Sequence, residues 1–309
     1  MTPFADRVTS RLRRLAGGLP DQLRPAVEGL VERPGKRLRC SLVEACARYG
    51  TADPTRLERA GAIVELLHVA SLLHDDVVDG SAVRRGAPAA HTVVGIEAAL
   101  LAGLACFALA GTEAADLGAG ASILVGRAVA GLSYGQLLDV ERAFDTTLAV
   151  EDYLELVARK TADLFALCCE LGAGEARVRA PVRAGLATFG TEIGVAFQVL
   201  DDCLDLEATG TDKPAGTDHL RGLFGAPTLY ALRQPGAAAL SELLLSSALD
   251  PTDLPRIRTE VDRLGGLVMA RQLARARYDR ALAALHPLGH PDGQAAVVAT
   301  VDSIDRRLP

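Results

Sequence analysis

The sequence predicts an all-α protein, and three observations support that prediction. Ala and Leu, which are strong helix formers, dominate the chain, whereas aromatic residues make up only 4% of it. Apolar residues recur at the helical spacing in most segments, and no convincing strand-like alternation interrupts them. Pro and Gly mark the joins between these segments. We therefore expect a single bundle-like helical domain over residues 1–309.

The helical spacing is clearest in six segments of the chain. They are residues 57–74, 97–110, 121–140, 150–171, 182–205 and 264–285. The longest uncharged stretch, 98–112, is shorter than the roughly 20 apolar residues that a membrane-spanning helix needs. It is therefore expected to be a buried helix, and the chain is not expected to be transmembrane.

Composition narrows the classes of function. Hydrophobic residues make up 49% and charged residues 23%, which is typical of a globular protein. A net charge of −6 argues against nucleic acid as a main partner, because binding to a phosphate backbone requires a basic surface. The six Cys residues form no CxxC pair, and the N-terminus has no apolar signal core, so a reducing cytoplasmic setting is expected.

Two aspartate motifs have identical spacing. Asp75 and Asp79 are four residues apart at the end of one apolar helical segment, and Asp201 and Asp205 repeat this at the end of another. On a helix, carboxylates at this spacing share a face and repel each other, whereas a divalent cation would reverse that repulsion. One such motif could be a solvated helix end. Two of them predict a clamp for a metal-bound diphosphate.

Basic residues accompany both motifs. Lys36 and Arg39 would share a helix face if their segment is helical, and Arg84 and Arg85 follow the first motif. Of the 33 basic residues only three are Lys, namely Lys36, Lys160 and Lys213, so a compact ammonium group could be required at these positions. Each basic group alone could be a solvated charge. Together they fit a polyanionic substrate that carries its own metal.

These segments resemble the trans-isoprenyl diphosphate synthases, the polyprenyl synthetase family. The likeness covers essentially the whole chain, and it is strongest in residues 34–40, 65–86, 135–139, 158–165, 197–205 and 212–218. The resemblance implies a helical bundle around a central substrate cavity. It also implies a homodimer that condenses an allylic diphosphate with isopentenyl diphosphate, using roughly three Mg²⁺ ions.

The resemblance also implies a role for each matching residue. The metal ligands would be Asp75, Asp79 and Asp201, with Asp76, Asp202 and Asp205 contributing directly or through water. The diphosphate of isopentenyl diphosphate would be held by Lys36, Arg39, His68 and Arg85. The allylic diphosphate would be held by Arg84, Lys160 and Lys213, and the reacting carbons would be lined by Thr161 and Gln198. A lone His on an apolar helix face is more often a core residue, so the role of His68 rests on the family likeness.

The resemblance bears on product length as well. Ala70 and Ser71 lie five and four residues before Asp75, where small side chains would leave the product tunnel open. We therefore expect a geranylgeranyl or longer product. Leu104 and Leu223 depart from the family pattern, since many members carry an Asp and a Lys at these positions.

Three rivals stay open. A class I terpene cyclase on the same scaffold would need metals and an allylic diphosphate, but it would have no use for Lys36, Arg39 and Arg85. A non-catalytic subunit of a heteromeric synthase would be expected to lose aspartates, and this chain keeps all six of them. A metal-storage or structural bundle leaves the basic clusters without a purpose.

Overall fold

The computed structural model describes residues 2–207 and 216–308. These residues are mostly helical and contain almost no sheet, which confirms the all-α prediction. The fifteen α-helices of the described residues are α1 (Phe4–Gly17), α2 (Arg24–Val31), α3 (Leu38–Ala47), α4 (Pro54–Val78), α5 (Ala90–Val94), α6 (Ile96–Leu117), α7 (Ala119–Glu141), α8 (Val150–Val157), α9 (Asp163–Glu175), α10 (Ala180–Glu207), α11 (Ala226–Leu232), α12 (Ala238–Leu244), α13 (Leu254–Arg263), α14 (Gly266–Leu285) and α15 (Pro291–Asp305).

The described residues fall into two compact units. The first contains residues 2–130, 164–190 and 284–301, and the second contains 131–163, 191–207, 216–283 and 302–308. The first aspartate motif belongs to the first unit, and the second motif belongs to the second unit. The expectation of a single domain over 1–309 stays a prediction.

Helix α4 lies at the centre of the first unit. Asp53 caps its N-terminus by accepting hydrogen bonds from the backbone N–H groups of Thr55 and Arg56. Pro54 occupies the first turn, where its missing N–H costs nothing. Helices α1, α3 and α6 pack against α4, so residues on more than one of its faces are buried. This packing holds firmly the helix that ends in the first aspartate motif.

The predicted helix over 150–171 is interrupted in the structure. Helix α8 ends at Val157, a π-helical turn spans Ala158–Ala162, and α9 begins at Asp163. In this turn the N–H of Asp163 donates to the carbonyl oxygen of Ala158, five residues earlier. Hydrophobic spacing does not reveal a single wide turn inside an otherwise helical stretch. The other five predicted segments coincide with α4, α6, α7, α10 and α14.

A small β-hairpin follows the first aspartate motif, and the sequence does not predict it. Its antiparallel strands are β1 (Val83–Arg84) and β2 (Ala87–Pro88). The two loop residues, Arg85 and Gly86, have φ angles of 52° and 70°. Positive φ at both loop positions is typical of the type I′ turn that closes two-residue hairpins. Strands of two residues are too short to show an alternating pattern. The turn places Arg85 at the tip of the hairpin.

Helix α6 is the one helix among the described residues that is long and apolar enough to cross a membrane, judged by length and composition alone. Core helices of soluble proteins meet the same criteria. Cys106 and Ala110 are fully buried, whereas Leu101 and Leu104 are 53% and 60% exposed. The expectation of a buried helix over 98–112 is therefore correct for one face and wrong for the other, because the sequence is apolar on both.

Candidate active site

The first aspartate motif lies at the C-terminal end of α4. Asp79 is the C-cap residue, and its N–H donates to the carbonyl oxygen of Asp75 at 2.7 Å. Both residues are half-buried, and their spacing puts them on one helix face. The negative end of the helix dipole lies at the same place. The motif therefore concentrates negative charge where a cation would be stabilised.

Asp76, the middle residue of this motif, points into the protein. It is 1% exposed, and its Oδ1 accepts a hydrogen bond from Nε of Arg84 at 2.7 Å and forms an ion pair with the same guanidinium. Its Oδ2 is buried and has no hydrogen-bond partner among the described residues. An unpaired buried acceptor costs about 1–3 kcal/mol. This oxygen is therefore suited to accept a hydrogen bond from a water molecule, including one bound to a cation.

Arg85 connects the hairpin to two other elements of the first unit. Its Nη1 donates to the carbonyl oxygen of Arg33 at 2.6 Å, and its Nη2 lies 3.1 Å from Nε2 of His68. Burial lowers the pKa of His68 well below its usual value, and the positive charges of Arg39 and Arg85 lower it further. Because a guanidinium only donates, the neutral imidazole accepts through Nε2. Two residues predicted to bind substrate are thus in direct contact.

Lys36 and Arg39 would share a helix face if their segment were helical, but only Arg39 lies in a helix. Lys36 lies exposed in a turn at Gly35, whose φ is 64°, and α3 begins only at Leu38. Arg39 is half-buried in the first turn of α3, and its guanidinium carbon lies 5.2 Å from the centre of the Phe165 ring. The turn at Pro-Gly delays the start of the helix.

The second aspartate motif lies at the C-terminal end of α10. Asp201 is exposed and Asp205 is half-buried. Asp202 instead takes part in a hydrogen-bond network: its Oδ2 accepts from the Tyr153 hydroxyl and from the backbone N–H of Ala226, at 3.2 Å for the latter. Burial raises the pKa of Asp202 to about 7, although hydrogen bonds from Tyr153 and Gln198 act in the opposite direction.

The network continues to the residues predicted to line the reacting carbons. Nε2 of Gln198 donates to Oδ1 of Asp202 at 2.9 Å, and the Thr161 hydroxyl donates to Oε1 of Gln198 at 2.9 Å. Thr161 is 8% exposed and belongs to the π-helical turn. Each hydrogen bond fixes the direction of the next one. The carboxylate of Asp202 therefore sets the orientation of the Gln198 amide.

Lys160 is held in the same π-helical turn by two residues of α7. Its ammonium pairs with Asp139. A Cβ atom at Gly135 would lie 2.7 Å from the backbone nitrogen of Lys160, so only glycine fits at that position. Gly135 and Asp139 are four residues apart and therefore share a helix face. Gly135 lets the backbones of the two helical segments approach, and Asp139 fixes the ammonium group of Lys160.

The remaining predicted positions are less informative. Lys213 lies outside the described residues, so its predicted role stays a prediction. Leu223 lines a small pocket together with Asp205, His219 and Thr228. Within the described residues, no group of three or more His, Cys, Asp or Glu side chains is arranged to hold a metal.

Three residues hold neighbouring side chains in place, although the sequence analysis gives them no role. They are Glu65, Asp139 and Tyr153. Asp139 ends the family-like segment 135–139, so a signal for it is present in the sequence. Glu65 and Tyr153 contact residues that are far away along the chain, and nothing in the local pattern indicates those partners.

Three comparisons with known proteins all find that this chain is similar to enzymes that make prenyl diphosphates. A family model described as Polyprenyl synthetase matches residues 20–261. The nonaprenyl diphosphate synthase of Mycobacterium tuberculosis is 32% identical, and the match covers 97% of this chain and 93% of that protein. A geranylgeranyl pyrophosphate synthase structure from Lactobacillus brevis has a TM-score of 0.89, with 29% identity, and covers 98% and 96% of the two chains. A polyprenyl synthase from Caulobacter crescentus, solved with calcium and isoprenyl diphosphate, has a TM-score of 0.87, with 32% identity and 98% coverage of both chains.

Proposed function

This chain belongs to the polyprenyl synthetase family and is a prenyltransferase, and on that premise we propose that it condenses an allylic diphosphate with isopentenyl diphosphate. The proposed product is geranylgeranyl diphosphate or a longer polyprenyl diphosphate. The name of the mycobacterial relative, a nonaprenyl diphosphate synthase, supports the longer range.

The observation that carries this proposal is the basic cluster of the first unit, which consists of Lys36, Arg39, His68 and Arg85. Arg85 is anchored on Arg33 and on a neutral His68, and a Cβ atom at Gly35 would lie 3.4 Å from its guanidinium carbon. The cluster is therefore built into the fold and is not a set of loose surface charges. A cyclase needs no second diphosphate site, so the cluster favours the synthase over that rival.

Mg²⁺ is the proposed metal, and the donor set fits it. Carboxylates at i and i+4, which both motifs offer, suit a hard cation that keeps several waters. The Oδ2 of Asp76, which has no hydrogen-bond partner among the described residues, fits a role through such a water. Asp202, by contrast, already accepts three hydrogen bonds, so we assign it to positioning. We propose Asp75, Asp79, Asp201 and Asp205 as the residues that hold the metal. Bound Mg²⁺ supplies positive charge that stabilises the departing diphosphate.

The chain's own side chains account for the rest of the proposed chemistry. Arg84 and Lys160, each fixed by an aspartate, hold the allylic diphosphate as the carbon–oxygen bond breaks. The oxygen dipoles of Thr161 and Gln198 steady the resulting allylic cation. The double bond of isopentenyl diphosphate forms the new carbon–carbon bond, and one proton passes to the released diphosphate. The apolar helices keep water away from the cation.

Product length gives the first prediction. Ala70 is fully buried on α4, one helical turn before the first motif. Replacing Ala70 with Phe is expected to shorten the product, because the ring would fill the space below the metal site. Chromatography of radiolabelled product measures this. Ala60→Phe is the control, since Ala60 is equally buried on α4 but lies farther from the motif. An unchanged product length in a folded Ala70→Phe variant would contradict the proposed tunnel floor.

One incubation tests the function itself. The protein is mixed with Mg²⁺, radiolabelled isopentenyl diphosphate and each allylic diphosphate in turn, and the product is sized. Elongated product supports the proposal. Hydrocarbon formed without isopentenyl diphosphate would identify a cyclase. Turnover that requires a second protein would identify a subunit of a heteromeric synthase.

We also propose a cytoplasmic homodimer. The exposed face of α6, with Leu101 and Leu104, and the neighbouring exposed Ile123 offer apolar surface for a second copy of the chain. All six cysteines are free and buried, which suits a reducing compartment. Light scattering of the wild type and of a Leu101→Glu variant tests the dimer. A wild-type protein of monomer mass would contradict it.

A further inference from the structure

Glu65 is a buried carboxylate to which the proposed chemistry gives no role. It lies on α4 and is 3% exposed. Its Oε2 is 3.0 Å from Nη1 of Arg37, and its Oε1 accepts a hydrogen bond from the backbone N–H of Cys40 at 3.2 Å. Glu65 therefore holds the segment 37–40 at both ends.

Arg37 adopts a backbone conformation that needs such support. Its φ is 52°, in the left-handed region, which costs a non-glycine residue about 1–2 kcal/mol. Its side chain is buried, and besides Glu65 it donates to the Thr9 hydroxyl at 3.0 Å and to the carbonyl oxygen of Val31 at 3.3 Å. Strained conformations persist where the surrounding contacts determine them. The ion pair with Glu65 is the only one of these contacts with full charge on both partners.

The position of Arg37 links this strain to the basic cluster. It lies between Lys36, which is exposed, and Arg39, which is half-buried. Turning the Arg37 backbone to an ordinary conformation would redirect Lys36 relative to α3. Glu65 is also three residues before His68, which fixes Arg85. One face of α4 therefore organises both parts of the cluster.

We infer that Glu65 is the positioning residue of the isopentenyl diphosphate site, acting through Arg37 and Cys40 on Lys36 and Arg39. The inference rests on the proposed function for those two basic residues. Glu65 touches no substrate in this scheme. Its carboxylate holds the turn so that two cations face one diphosphate.

A purely structural ion pair would behave differently, and the first unit offers one for comparison. Arg11 and Glu113 are 7% and 5% exposed, and they pair at 2.5 Å. They are as buried as Arg37 and Glu65, but neither belongs to the basic cluster. Loss of Glu65 or of Glu113 is expected to lower stability, because a buried guanidinium loses its nearest carboxylate, although Arg11 keeps an ion pair with Glu58 at 3.6 Å. Only loss of Glu65 is expected to change substrate affinity.

The test compares Glu65→Gln with Glu113→Gln in full-length protein. For Glu65→Gln, the KM for isopentenyl diphosphate is expected to rise by about tenfold or more, with the KM for the allylic substrate unchanged. For Glu113→Gln, both KM values should equal those of the wild type. A double variant, R37M/E65M, removes both charges and should stay folded. It is expected to show the same rise in the KM for isopentenyl diphosphate.

A second measurement separates this inference from the proposed function. Titration calorimetry with inorganic pyrophosphate in EDTA reports anion binding by the basic cluster without turnover. Binding about tenfold weaker in Glu65→Gln than in Glu113→Gln supports the positioning role even if the wild type elongates no substrate. Equal pyrophosphate affinities, or an unchanged KM for isopentenyl diphosphate in folded R37M/E65M, would overturn it. In that case elongation by the wild type would still leave the proposed function standing.

Discussion

Asp76 and Asp202 occupy the middle position of two motifs with the same spacing, yet their surroundings differ in charge. Asp76 pairs with the guanidinium of Arg84, whereas the donors to Asp202 among the described residues are all formally neutral. One oxygen of Asp76 has no partner among the described residues, whereas both oxygens of Asp202 accept hydrogen bonds. The carboxylate of Asp76 therefore fixes the guanidinium of Arg84, and the carboxylate of Asp202 fixes the direction of a hydrogen-bond network.

This difference shows that repeated spacing does not imply repeated roles. In each motif the outer aspartates lie on one helix face, and the middle one is held by the interior of the protein. What the middle residue does then depends on which elements pack there. The hairpin brings Arg84 to Asp76, whereas α8 and the start of α11 bring Tyr153 and Ala226 to Asp202.

The largest expected effect is that of Asp76→Asn on stability. The change leaves the Arg84 guanidinium without its carboxylate in a largely buried site. We expect the free energy of unfolding to fall by about 3 kcal/mol. This value is at the low end for a broken buried ion pair, because the Arg84 side chain is 21% exposed. Urea unfolding measures this loss.

Asp116→Asn is the matched control for that measurement. Asp116 pairs with Arg59, but its side chain is 54% exposed, so its loss should cost no more than about 1 kcal/mol. If the two variants lost the same stability, the ion pair of Asp76 would not be the distinguishing feature of the first motif.

Asp202→Asn is expected to have a smaller effect on stability and a larger effect on the network. The donors to Asp202 among the described residues are neutral, so the change leaves none of them as an unpaired charge, and we expect a loss of about 1–2 kcal/mol. The amide can satisfy its neighbours only by reversing donor and acceptor directions at Gln198 and Thr161. We therefore expect kcat to fall while both KM values stay near those of the wild type. Steady-state kinetics check this, and a stability loss larger than that of Asp76→Asn would reverse the comparison.

Tyr153→Phe is expected to have the smallest effect, because it removes one donor of three. We expect a loss of about 1 kcal/mol in stability and a fall in kcat smaller than that of Asp202→Asn. Tyr49→Phe is the control, since the Tyr49 hydroxyl is buried without a hydrogen-bond partner among the described residues. That change should be neutral or stabilising. Equal losses in the two variants would mean that the bond from Tyr153 to Asp202 contributes nothing.

The sequence predicts those site residues that are recognisable from the spacing of their near neighbours along the chain. The spacing of Asp75 and Asp79 is readable because i,i+4 neighbours share a helix face whatever the tertiary structure is. The contacts of Glu65 with Arg37 and of Tyr153 with Asp202 are not readable, because they depend on which helices pack together. The sequence left open whether the segment around Lys36 is helical, and the structure shows a turn there, with α3 beginning at Leu38. Family resemblance supplied roles that spacing alone does not.

The π-helical turn over Ala158–Ala162 bears on how this chain tolerates insertions and deletions. Such a turn contains one residue more than an α-helical turn. Deleting a single residue there would let α8 run straight into α9 as one α-helix, and the residues beyond the deletion would keep their helix faces because only the extra residue is lost. The residues of the turn itself would change direction. Lys160 would then leave Asp139, and Thr161 would leave Gln198. A substitution at either position removes one contact, whereas a one-residue deletion would remove both and still leave an unbroken helix.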